Sequence, residues 1–224
     1  MGDIGAFDPL KWQRTFDYLP NYIQGIPMTI AISGAALLIA TLLGIVAGVM
    51  RLSKRSYLSG VATVYVEFVR NTPLLVQLFV VYFGLAPLWS GNRFIPMAIG
   101  LGLFAGAYVA EIVRAGIQSI SKGQLEAALS CGMTGTQAMM LVILPQALRR
   151  ILPALAGQFI SLIKDSSLIS VFGYTELTFA AKKVTAATFL GFHPYVLVAG
   201  FYFVICYPLS LAVRAFERRT ARIG

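Results

Sequence analysis

Residues 28–50 carry no charged side chain. A helix crossing a bilayer needs about 20 mostly apolar residues, each advancing about 1.5 Å. A chain that repeats such runs folds against lipid, where only helices and closed barrels satisfy every backbone polar group. Further apolar runs extend from about Tyr57 to Trp89, interrupted by Glu67, Arg70 and Pro73, then over about 94–117, 147–168 and 194–213. The expected architecture is an all-α integral membrane protein with five transmembrane helices. Composition agrees: 58% of the 224 residues are hydrophobic and 12% charged, where a soluble domain carries about 25% charged residues. The mean hydropathy is +0.77.

An odd number of crossings puts the termini on opposite sides, and the basic residues choose the direction. Eleven of them, Arg51, Lys54, Arg55, Arg114, Lys122, Arg149, Arg150, Arg214, Arg218, Arg219 and Arg222, fall on one side of the expected spans. Five, Lys11, Arg14, Arg93, Lys182 and Lys183, fall on the other. The positive-inside rule places the richer side, with the C-terminus, in the cytoplasm and the N-terminus outside. The net charge of +9 is thus read as topology and lipid contact, with no nucleic acid as partner. The first twenty residues, with Asp3, Asp8 and Asp17, do not read as a secretory signal. Trp12 and Phe16, four apart, suit a short helix in the membrane interface. Residues 1–20 are therefore assigned as an N-terminal interfacial segment, and 21–224 as one transmembrane domain.

Three functional classes find no residues to support them. One histidine, His193, and two distant cysteines, Cys131 and Cys206, do not form a usual zinc ligand set, so no metal site is expected. No Gly-Lys dipeptide occurs, and with it goes any GxxxxGK[ST] phosphate loop. Nor does any nucleophile–base pair assemble at one depth for an intramembrane protease, since His193 lies just before the last span.

The segment at about 121–145 differs from its surroundings. It reads Glu126-Ala127-Ala128, Gly132, then Val142, Leu144 and Pro145. Residues 124–131 suit a short helix that Gly132 ends in the left-handed conformation. Thr134 suits the cap of a second helix that Pro145 stops or kinks. Charge counting puts this elbow in the cytoplasm. The segment closely resembles the EAA coupling loop of ABC importer permeases, with Val142 where that family usually has Ile. Gly25, Thr29, Arg70-Asn71-Thr72-Pro73-Leu74-Leu75, Ala107-Tyr108, Gly123-Gln124, Pro145-Gln146-Ala147-Leu148-Arg149 and Lys164-Asp165-Ser166-Ser167-Leu168 look like the polar amino acid branch. The similarity covers about residues 20–220.

That resemblance implies a type I ABC importer permease fold in a bacterial inner membrane. It implies that Glu126, Ala127, Ala128 and Gly132 contact an ATPase, and that the chain itself needs no cofactor. ATP and Mg²⁺ would sit on two partner ATPase subunits. Further implied partners are a second permease copy or a homologous permease, an external solute-binding protein, a polar amino acid and the lipid bilayer.

Charges inside the spans need a reason, because each costs about 2.5–3.5 kcal/mol at the bilayer centre on insertion scales. Counting along the second span puts Glu67 near mid-membrane, with Arg70 one turn away on the same face. They either neutralise each other or line a solute pathway, with Pro73 freeing backbone groups beside them. Glu111 and Arg114 sit near the cytoplasmic end of the third span and suit a structural or gate role. Lys164 and Asp165 are neighbours, about 100° apart on a helix, so each needs its own partner. A free amino acid offers a carboxylate to Lys164 and an ammonium to Asp165, with Ser166 and Ser167 adding hydroxyls; bridges to neighbouring spans are the rival. Residues 44–48 and 102–106 are each GxxxG, a spacing that lets helices approach closely, either within one subunit or between two. The same intramembrane charges also fit a secondary amino acid transporter working without an ATPase.

Overall fold

The computed structural model describes residues 5–85, 88 and 92–221, with side chains as far as Arg218. Asp3, Arg222 and the expected span end at Trp89 lie outside the described residues, as does the side chain of Arg219. Among the described residues every regular element is helical: α1 (Pro9–Phe16), α2 (Leu19–Arg51), α3 (Ser56–Arg70), α4 (Leu74–Leu85), α5 (Phe94–Gln118), α6 (Lys122–Ser130), α7 (Gly135–Ala138), α8 (Leu144–Asp165), α9 (Leu177–Thr188) and α10 (Phe192–Ala221). A wide π-turn, Met139–Ile143, joins α7 to α8, and a 3-10 segment, Ser166–Phe172, follows α8.

Small side chains hold the centre together. Along α2 the buried face reads Ile32, Ala36, Ala40, Gly44, Ala47 and Gly48, one small residue nearly every turn. It meets the buried Gly102, Ala105, Gly106, Val109, Ala110 and Val113 of α5. A methyl group added at Gly44 would lie 2.4 Å from Val109, one at Gly48 2.8 Å from the carbonyl of Ala110, and one at Gly102 2.6 Å from Ile39. Both GxxxG stretches therefore pack inside one subunit. The pairings advance together along both helices, so α2 and α5 run parallel and their N-terminal ends share one face of the molecule.

Four stretches among the described residues are long and apolar enough to cross a membrane: Leu19–Arg51, Phe94–Gln118, Gly135–Phe172 and Phe192–Arg218. The second expected span is different. Helices α3 and α4 meet that test only as a pair, and they bend by 110° at the break between them. Pro73 has no N–H to continue the ladder, and polar side chains occupy the carbonyls left over. Asn71 Nδ2 donates to the Glu67 carbonyl at 2.7 Å, Thr72 Oγ1 to that of Phe68 at 2.9 Å, and Gln77 Nε2 to that of Val69 at 2.8 Å. A break at membrane depth is tolerable only when freed groups are paired in this way.

The fourth expected span also departs from expectation. Pro145 neither stops nor sharply ends the helix; it opens α8, and the preceding π-turn makes room for the ring. The α-helix then ends at Asp165 rather than near 168. Helix α9, which the sequence did not suggest, packs against α2 and α10. Helix α1 forms as expected, with Asp8 capping and Pro9 in its first turn. Its Trp12 ring sits 5.0 Å from His193, edge to face, so the helix docks on the bundle as well.

Gly44→Ala should destabilise the protein by about 1–3 kcal/mol of overpacking and so lower its melting temperature. Gly34→Ala, where an added methyl meets nothing within 4 Å, should be neutral or slightly stabilising. Thermal unfolding in detergent compares the two; equal effects would contradict the packing described.

Candidate functional site

The predicted residues fall into three places. The first is the elbow. Helix α6 starts with Ser121 accepting the Gly123 N–H at 3.3 Å, and after its last residue, Ser130, the chain turns at Gly132, φ +81°. There the Met133 N–H reaches the Ala128 carbonyl at 3.2 Å and the Gly132 N–H that of Leu129 at 3.0 Å, a Schellman closure. Thr134 and Gln137 then form a reciprocal capping box on α7. One side-chain tie fixes the elbow to the bundle, and a second joins α8 to the end of α5 at the elbow's root. Gln146 Nε2 donates to Gln124 Oε1 at 3.2 Å, and Arg150 Nη1 to the Ser119 carbonyl at 2.6 Å. Glu126, Ala127 and Gly132 are exposed, whereas Ala128 is buried inside the elbow. Of the two alanines expected to contact an ATPase, only Ala127 is presented. Leu129, Met140 and Leu141 add exposed apolar surface on the same segment.

The second place is an ionic knot where α2, α3 and α5 converge. Arg51, the last residue of α2, points back along its helix, as long helical side chains do. Its Nη1 lies 2.5 Å from Glu111 Oε2, and its Nη2 lies 3.6 Å from Glu67 Oε1. Arg114 bonds the same Glu111 one turn on, and Arg70 Nη1 lies 4.0 Å from it. The pairing expected between Glu67 and Arg70 is thus replaced. Glu67 goes to Arg51, while Arg70 spans Glu111 and the Tyr108 ring, 5.4 Å from its centroid. Three cations share two carboxylates, which leaves the knot one positive charge in excess. The Glu67 side chain is 53% exposed and that of Arg70 37%, so this side of the knot opens outward from the bundle. Pro73 lies beyond it at the bend.

The third place is the end of α8. Lys164 is exposed and lines two shallow grooves of 270 Å³ each against α10, with Tyr202 and Cys206 in one and Ser161, Arg214 and Glu217 in the other. Asp165 and Ser167 are half-buried. Ser166 is fully buried and its hydroxyl donates to the Ile163 carbonyl at 2.8 Å. No hydrogen bond or ion pair among the described residues joins this group to the knot.

A fourth polar cluster was missed from sequence. Glu176 is 0% exposed. It caps α9 by accepting the N–H groups of Thr178 at 2.8 Å and Phe179 at 2.6 Å, and Tyr202 Oη donates to it at 3.0 Å. Beside it the Leu177 N–H donates to Thr29 Oγ1 at 3.1 Å, and a methyl on Gly25 would lie 2.8 Å from Leu177 Cα. Gly25 and Thr29, one turn apart, thus form the seat of α9 on α2. The four-residue spacing of those two was the available signal; the partners lie too far along the chain for sequence reasoning to reach. Burial pushes the Glu176 carboxyl up to about 7, against the pull of the two N–H groups and Tyr202.

Comparison with known proteins gives a consistent result. Residues 40–222 match the family model described as binding-protein-dependent transport system inner membrane component. A probable glutamine ABC transporter permease protein of Bacillus subtilis (strain 168) is 42% identical over 207 residues, covering 91% of this chain and 95% of its own length. The glutamine transport system permease protein of Escherichia coli (strain K12) is 37% identical over 211 residues, covering 93% and 96%. Among solved structures, a chain of an amino acid ABC transporter crystallised with histidines superposes with a TM-score of 0.85 at 41% identity, covering 91% of this chain and 96% of that one. A chain of a methionine ABC transporter in an inward-facing conformation superposes with a TM-score of 0.77 at 18% identity, covering 89% and 96%, and so shares the fold.

Because burial favours the protonated form of Glu176, its contribution to stability is full below the ordinary carboxylate value of 4.5 and is lost as pH rises through about 7. Between pH 5 and 8 the wild-type melting temperature should therefore fall relative to that of Glu176→Gln. Parallel curves for the two proteins would contradict the assignment.

Proposed function

The chain belongs to the family of binding-protein-dependent transport system inner membrane components, and from that premise we propose how it works as the membrane subunit of an ATP-driven ABC importer of a polar amino acid. The observation that carries the proposal is the elbow. Helix α6 is capped at both ends, α7 is capped at its start and runs on into the turn before α8, and Gln124 ties α6 to α8, at the end of the bundle opposite the N-termini of α2 and α5. A rigid, capped, protruding element transmits a push; a loose loop absorbs it. Glu126 and Ala127 are its exposed contact residues, with Ala128 and Gly132 holding its shape.

The α3–α4 pair is one bent crossing, which makes five crossings, with the N-terminus outside and the C-terminus in the cytoplasm. The division of basic residues supports that direction. Five crossings enclose too little space for a pathway, so the working unit pairs this chain with a second copy or a homologous permease. Two ATPase subunits carry ATP and Mg²⁺, and an external binding protein delivers the solute. ATP favours the conformation in which the ATPase pair is closed, bringing the elbows together and opening the spans outward; hydrolysis reverses the bias. Nucleotide drives this switch only through its different affinity for the two states.

The amino acid backbone is held at the end of α8. The exposed ammonium of Lys164 takes the carboxylate, Asp165 takes the ammonium, and Ser167 adds a hydroxyl, while the buried Ser166 fixes the helix end. Glu67 and Arg70, on the open side of the knot, line the inner part of the path. Glu111 ties α5 to α2 there through Arg51 while Arg114 holds Glu111 from its own helix; both act as gate supports, and Pro73 sets the bend. Because Lys164 and Asp165 read groups common to all amino acids, the side chain of the cargo is selected elsewhere in the assembly.

Lys164→Ala and Asp165→Ala should each lower ATP-driven uptake roughly tenfold or more, the consequence of losing a charge-assisted hydrogen bond of about 1.5–3 kcal/mol. Assembly with the ATPase should survive; undiminished uptake in both variants would reject the site. Glu126→Lys should uncouple ATP hydrolysis from transport, and full uptake by that variant would count against the elbow.

A further inference from the structure

At the end of the molecule opposite the elbow, the N-terminal parts of α2 and α5 and the loop before α9 surround a cleft of 610 Å³. It is lined by Gln24, Met28, Asn92, Arg93, Phe94, Gly173, Tyr174 and Thr175. The volume lies within the range of about 300–1,000 Å³ common to small-molecule sites. Arg93 supplies its charge. The Arg93 Nη1 donates to the Gly173 carbonyl at 3.0 Å. Gly173 itself sits at φ +70°, and a methyl there would come 2.9 Å from the same Nη1. A residue other than glycine would thus be strained at this turn and would push the guanidinium aside. One donor anchors the fork, and the remaining N–H groups of a guanidinium are placed for a planar two-oxygen acceptor.

No carboxylate among the described residues pairs with Arg93. Glu176 is near in sequence, yet its carboxylate turns inward onto the start of α9 and Tyr202. The rest of the lining is neutral. Asn92 Oδ1 already accepts the Phe94 N–H at 3.0 Å, which leaves its amide hydrogens to donate. Gln24 and Thr175 offer oxygen atoms that accept from an ammonium. Met28, Phe94 and Tyr174 form an apolar wall, with the Phe94 and Tyr174 rings 6.3 Å apart and Tyr174 Oη 3.8 Å from the Met28 sulfur.

We propose that this cleft is an outer binding site for a free amino acid, with Arg93 holding the α-carboxylate. The proposal rests on the importer reading and its orientation, and it names a site separate from Lys164 and Asp165. The two are mechanically joined: residues 173–175 continue directly from the 3-10 segment Ser166–Phe172 that follows Asp165. An amino acid seated in the cleft thus touches the same strip of chain that carries the inner site.

The test uses the complete transporter, with its ATPase, in right-side-out vesicles carrying Asn92→Cys, and Thr175→Cys as a second reporter. A membrane-impermeant maleimide labels the cleft from outside. The labelling rate is measured first without and then with binding protein, in the presence of L-glutamine, L-arginine, L-glutamate or L-histidine, and of their α-amides, which lack the carboxylate. Wild-type uptake of the same four is measured in parallel with binding protein present. The expected result is that an amino acid that is taken up also slows labelling, that its α-amide does not, and that Arg93→Ala weakens the protection roughly tenfold. Arg93→Lys should restore part of it. Uptake without protection at either reporter would overturn the cleft and leave the importer intact. Protection that needs the binding protein would also overturn it, by making Arg93 a docking contact for that protein. Absence of wild-type uptake for all four would sink the polar amino acid reading, and this inference with it.

Discussion

The close approach of α2 and α5 sets the position of everything else. Two helices reach this separation only where side chains are nearly absent, and in lipid their attraction comes from packing rather than from expulsion of water. Ala36, Ala40, Gly44, Ala47 and Gly48 along one face of α2 provide that surface, and the contacts made there advance in the same direction along both helices. Because the helices run parallel, their starts form one face of the molecule and their ends the other. Arg51 and Glu111 are brought together at one end, where the elbow emerges. Gln24 and Arg93 are brought together at the other. A change in the seam would therefore alter the ionic knot and the cleft at Arg93 at once, though neither contains a seam glycine.

The second principle is the satisfaction of polar groups away from water. The bend after α3 survives because Asn71, Thr72 and Gln77 occupy the carbonyls that Pro73 leaves open. The seat of α9 survives because Glu176 and Thr29 take up the first N–H groups of that helix. Both devices hold irregular backbone in one arrangement by a few specific bonds. Such elements are suited to having a second arrangement, since the bonds are few and local while the α2–α5 seam is continuous. A permease that alternates between two states needs this contrast between a fixed frame and hinged parts.

Much of the frame was legible in the sequence. Residues 28–50 and 94–117 were recognisable because nothing charged interrupts the first and the charges of the second, Glu111 and Arg114, lie near its end. The caps at Gly132 and Thr134 were legible because capping is local, spanning three or four residues. What sequence did not show was long-range. That Arg51 would take both Glu67 and Glu111 depends on a side chain reaching across two helices, which no spacing rule encodes. Pro73 announced an interruption but not a bend of 110°, since the angle is set by what α4 packs against. Helix α9 carries Lys182 and Lys183 among alanines, a pattern with no strong apolar stripe, and its existence depends on Gly25, Thr29 and Tyr202. The elbow identified the machine from sequence; the structure corrected which of its alanines faces outward.

The central claim is that this chain passes a solute only when another polypeptide supplies the energy. The most direct measurement is uptake of a polar amino acid into proteoliposomes, made once with the complete assembly and once with this chain alone. Uptake by the assembly that requires ATP, together with none by the chain alone under a proton or sodium gradient, is the result the account predicts. Concentrative uptake by the chain alone, driven by an ion gradient without ATP, would contradict it.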